Sequence, residues 1–108
     1  MSQPQPVHRL VIYRPKAGHH DQLLAILKEH GPTLRKTGLL APDTQVQLFA
    51  ATDLQRHGMP APYFVEIFYW RDDKASDTAH QLPEVMSVWE TMGPHLEGMT
   101  LTTLAAIA

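Results

Sequence analysis

The chain has 108 residues, of which 44% are hydrophobic and 19% charged, and its formal net charge is −2. That apolar content supplies a real core and excludes a disordered chain, while the charge gives no basic footprint for nucleic acid and no polybasic membrane patch. No apolar run approaches the roughly 20 residues of a membrane span, and without cysteine there are no disulfides and no thiolate chemistry.

The opening residues, MSQPQP, are polar and lack an apolar signal region. This points to a cytoplasmic protein with a flexible stretch over residues 1–6 leading into one domain over residues 1–108. VHRLVIYR, residues 7–14, reads as a strand with apolar residues on both faces, and Pro15 to Gly18 break it. A helix is expected from about His19 to Thr37, because Leu23, Ile26, Leu27, His30 and Leu34 form one apolar stripe. Pro32 should kink it near Lys28 or Glu29, and Gly38 is placed to end it. His30 falls on the buried stripe, where a core histidine with a hydrogen-bond partner is expected.

Gln45 to Ala51 alternate as a second strand. Residues 52–62 form a long loop with Gly58, Pro60 and Pro62, suited to motion or to lying over a partner. Tyr63 to Trp70, YFVEIFYW, is a third, central strand, apolar but for one carboxylate, Glu66. Asp72 or Asp73 can cap a short helix reaching His80. Pro83 fits the first turn of a further helix, with Glu84 complementing its dipole. Val85, Val88 or Trp89, Met92 and Leu96 then keep helical spacing, disturbed at Gly93-Pro94. Met99 to Ile107 closes the chain as a fourth strand.

The order strand, helix, strand, strand, helix, strand is that of an α+β, ferredoxin-like βαββαβ fold. It makes a four-stranded antiparallel sheet with both helices on one face. The strands are apolar on both faces, so the bare face needs cover. A second copy of the sheet supplies it most simply, which predicts a homodimer with a barrel-like interior.

The segments VIYRPKAGHHDQLLAIL, YFVEIFYW and AHQLPEVMSVWE resemble the antibiotic biosynthesis monooxygenase type of the dimeric α/β-barrel superfamily, over about residues 7 to 106. The resemblance implies that same fold and dimer, and a small-molecule cavity between sheet and helices. The superfamily holds cofactor-free monooxygenases, haem-degrading enzymes, cyclases, isomerases and members without known chemistry. Haem-degrading members use an asparagine on the first strand, and this chain contains no asparagine.

Burying a lone carboxylate is costly, so Glu66 is paired, protonated or functional. Across the ladder His8 or Arg9 could pair with it. His80 is the best placed general base by sequence, with Glu66 fixing its tautomer. Tyr13, Phe64, Phe68, Trp89 and Arg9 are candidate substrate-binding residues around this pair. No metal is expected: His19-His20-Asp21 are adjacent in sequence, and no zinc-type spacing occurs.

Two functions suit these residues. The first is a cofactor-independent monooxygenase that deprotonates an aromatic phenol or quinol and lets the anion react with dioxygen, with no cofactor fingerprint required. The second is a non-catalytic, stress-related dimeric binding protein. A proton-transfer cyclase or isomerase could also use the same groups.

Overall fold

The computed structural model describes residues 5–54 and 62–108. Four strands, β1 (Val7–Pro15), β2 (Gln47–Ala51), β3 (Tyr63–Trp70) and β4 (Leu96–Leu104), form one antiparallel sheet in the order β2-β3-β1-β4. Three helices, α1 (His20–Lys36), α2 (Ala75–Ala79) and α3 (Pro83–Met92), complete the α+β ferredoxin-like fold. The expected flexible N-terminus falls partly, and the loop before β3 mostly, outside the described residues.

Strand alternation decides what is covered. Val11 and Tyr13 of β1 share a face with Phe64, Glu66, Phe68 and Trp70 of β3, and all six are buried. Helix α1 supplies the other half of this core through Leu23, Leu27, His30 and Leu34, as its apolar stripe requires. Val85 and Met92 of α3 close it. Leu10, Ile12, Val65, Ile67 and Phe49 project from the opposite face, where among the described residues no helix lies over them, and Phe49 is 46% exposed. Among the described residues no helix is long and apolar enough to cross a membrane.

The boundaries follow from partners as much as from composition. α1 runs through Pro32 to Lys36, with Thr37 as its C-cap, and Gly38 just past it has a φ of 74°, the left-handed conformation that glycine adopts without strain. A Cβ on Gly31 would lie 3.2 Å from the Val46 side chain. This close packing against α1 accompanies a strand β2 that begins at Gln47 rather than Gln45. β4 occupies Leu96–Leu104 and not Met99–Ile107, because its ladder with β1 runs from Pro15↔Leu96 to His8↔Leu104 and stops there. Leu96, expected on the helical stripe, therefore opens the strand after the turn at residues 93–95. α2 is shorter than expected: its N-cap is Lys74, whose amide donates to the Asp72 side chain at 3.0 Å.

Candidate functional site

Glu66 sits mid-strand, opposite Val11 on β1 and Leu48 on β2, and its side chain is fully buried. Two side chains satisfy it. Tyr13, on the same face as Val11, donates its hydroxyl to Oε1 at 2.7 Å. His30 from α1 places Nδ1 at 2.9 Å from Oε1 and 3.0 Å from Oε2. On the far side of that imidazole, Trp89 of α3 donates its indole N–H to Nε2 at 2.9 Å.

The chemistry of the donors fixes the protons along this chain. An indole nitrogen can only donate, so His30 Nε2 carries a lone pair and Nδ1 carries the hydrogen. Nδ1–H then donates to Glu66, which accepts from both neighbours as an ionised carboxylate does. Burial, with the charge and hydrogen bond of Glu66 added, pushes the Tyr13 phenol well above the usual tyrosine range, so it stays protonated. The result is a continuous line, Trp89 to His30 to Glu66 with Tyr13 as second donor, drawn from α3, α1, β3 and β1.

This line borders a cavity of about 180 Å³. Tyr13, His30 and Trp89 form part of its wall with Arg9, Phe68 and His80, and the exposed Met99 and Leu101 of β4 also border it. Glu66 does not reach the wall; it stands behind Tyr13 and His30. Among the described residues no three metal-ligating side chains converge.

Of the residues singled out in the sequence, Arg9, Tyr13, Phe68, His80 and Trp89 meet at this cavity. Phe64 does not; it is buried against His20, with ring centroids 4.7 Å apart. The expected ladder pairing of Glu66 with His8 or Arg9 does not form. Val11 is the residue opposite, Arg9 faces Phe68, and His8 lies on the other face, stacked on Tyr69 at 4.1 Å. The expected Glu66–His80 contact gives way to Glu66–His30. His80 is exposed, pairs through Nδ1 with the Ser76 carbonyl at 2.8 Å, and reaches the chain of hydrogen bonds only through an edge contact with Trp89 at 4.7 Å. The signal for His30 was present: a histidine on the apolar stripe of α1 can face only the sheet.

No family model and no curated protein sequence matches the chain. Solved structures do match it in shape. One, an antibiotic biosynthesis monooxygenase, is 19% identical with a TM-score of 0.70 over 94% of this chain and 99% of its own. The protein Rv0793 of Mycobacterium tuberculosis is 20% identical with a TM-score of 0.70, covering 96% and 97% of the two chains. A variant of SnoaB, a cofactor-independent oxygenase from Streptomyces nogalater, is 12% identical with a TM-score of 0.66, covering 95% and 94%. At such identities the likeness establishes the fold and leaves the chemistry to the site. The chain thus has the ferredoxin-like fold of the antibiotic biosynthesis monooxygenase structures.

Proposed function

We propose that this chain is a single-domain homodimer whose cavity binds an aromatic molecule bearing an ionisable hydroxyl, and that His30 removes the hydroxyl proton as a cofactor-independent oxygenase requires. The observation that carries the reading is the carboxylate-oriented imidazole on the wall of an apolar cavity. Glu66 holds His30 in the Nδ1–H tautomer, so the lone pair on Nε2 is aimed and basic. In the free protein the Trp89 indole occupies that lone pair. A ligand hydroxyl that displaces the indole exchanges one hydrogen bond of about 1 kcal/mol for another. When the proton moves to Nε2, the imidazolium sits beside the Glu66 carboxylate, which stabilises it.

The electron-rich anion left behind reacts with dioxygen in the largely apolar cavity. The substrate supplies the electrons: a ring C–H ortho or para to the hydroxyl becomes C=O, the hydroxyl carbon becomes the second C=O of a quinone, and the two released hydrogens leave with the second oxygen atom as water. The similarity to SnoaB, described as a cofactor-independent oxygenase, supports this class. The apolar, helix-free face of the sheet supports the dimer, since a second copy would bury it.

One observation favours a binding protein without turnover. The Trp89, His30, Glu66 and Tyr13 side chains satisfy one another internally, so the base is capped until a ligand competes for it. Oxygen uptake with single-ring hydroquinones separates the two. Uptake by the wild type that falls at least about 100-fold in His30→Gln and Glu66→Gln, as for loss of a general base, supports the oxygenase. Saturable ligand binding with no oxygen consumption would leave the binding protein.

A further inference from the structure

One polar atom on the cavity wall is left over, the Nε of Arg9. Arg9 lies on the helix-covered face of β1, opposite Phe68 of β3 and Thr103 of β4. Its Nε is buried and, among the described residues, has no hydrogen-bond partner. Among the described residues no acidic side chain lines the cavity. Glu66, on the same face of the sheet, is already occupied by Tyr13 and His30. A guanidinium that presents a buried, unused N–H to an apolar chamber is placed to receive a planar anion, because its fork matches a carboxylate in two parallel hydrogen bonds.

The size of the chamber narrows the ligand. Its volume of about 180 Å³ is close to the roughly 150 Å³ of an apolar cavity that takes benzene. That space suits one ring and not a fused polycycle. Arg9 and Tyr13 are four residues apart on one strand, about 13 Å along it, and their side chains take up part of that span.

We propose that Arg9 is an anion subsite of this cavity, and that the ligand is a single-ring hydroxylated aromatic carboxylate, its carboxylate on Arg9 and its hydroxyl toward His30. This rests on the reading of the cavity as a site for aromatic hydroxyl compounds and adds the acid group and the ring size.

The test compares 4-hydroxybenzoate with 4-hydroxybenzamide, which has the same shape and no charge, by calorimetry and by quenching of the wall tryptophans. The wild type should bind the benzoate about tenfold or more tightly than the amide, as a charge-assisted pair requires. Arg9→Met should bring the two affinities together, and Arg9→Lys should keep part of the preference. Equal affinities in the wild type would overturn the Arg9 subsite while leaving the aromatic cavity standing. Binding of neither compound would overturn both. The wild-type comparison decides the question even if Arg9→Met does not fold.

Discussion

On the covered face of the sheet, Tyr13, Glu66 and Phe68 are sealed beneath the helices; on the open face, their immediate neighbours Ile12, Val65 and Ile67 have no helix above them. The same two strands carry both sets, one residue out of step. The covered face holds the most expensive group in the molecule, a buried carboxylate, and holds it because each of its neighbours donates to it. The open face holds nothing expensive, only apolar surface waiting for cover. A polar group inside a core is therefore stable by mutual satisfaction, and removing any one member exposes the others to the full cost of burial.

The largest expected effect breaks the covered side. His30→Leu leaves Glu66 buried with Tyr13 alone and should cost about 3–5 kcal/mol of stability in urea unfolding. Adding Glu66→Leu should recover part of that loss, since a hydrophobic pair replaces the uncompensated charge. A single-variant cost near zero would mean that the carboxylate is not held as described. On the open side, Ile67→Asp should weaken self-association by about 2–4 kcal/mol with little change in the fold of the protomer. Sedimentation at micromolar concentration checks this, and an unchanged mass would place the interface elsewhere.

Tyr13→Phe removes one hydrogen bond to a charged group and should cost about 1.5–3 kcal/mol. It also carries a signature in pH. The folded phenol holds its proton above the usual tyrosine range, so its contribution is complete below about pH 10, where unfolded tyrosine is still protonated. It is lost as pH rises through that value, because the unfolded chain releases the proton and the fold does not. Stability of the wild type should thus fall at alkaline pH more steeply than that of Tyr13→Phe. Tyr63, whose hydroxyl donates to Asp53 at 2.8 Å, keeps some slope in both. The smallest effect is expected for Trp89→Phe, which deletes a neutral hydrogen bond worth about 0.5–1.5 kcal/mol. That variant should also strengthen the binding of phenols, since the ligand no longer has to displace the indole.

Much of this contrast was legible in the residues. The lone carboxylate in YFVEIFYW announced a buried polar site, and the two-faced apolarity of β1 and β3 announced the bare sheet. The apolar stripe of α1 placed His30 in the core with a partner to find. What the sequence left open was which histidine meets Glu66. His80 lies on the helical segment following β3, while His30 is 36 residues from Glu66 in sequence. The pairing depends on how α1 docks across the sheet, a fact of three-dimensional packing that no spacing rule carries. The end of β4 was hidden for a similar reason: its composition stays apolar to Ile107, but its ladder stops at Leu104, opposite His8.

The most direct measurement is a two-bond ¹H–¹⁵N NMR spectrum of the His30 ring, recorded with and without a phenolic ligand. The account predicts a protonated Nδ1 and an unprotonated Nε2 in the free protein, with both Nε2 and the Trp89 indole N–H shifting as ligand is added. A ring protonated at Nε2 at neutral pH, or one that ligand leaves untouched, would contradict it.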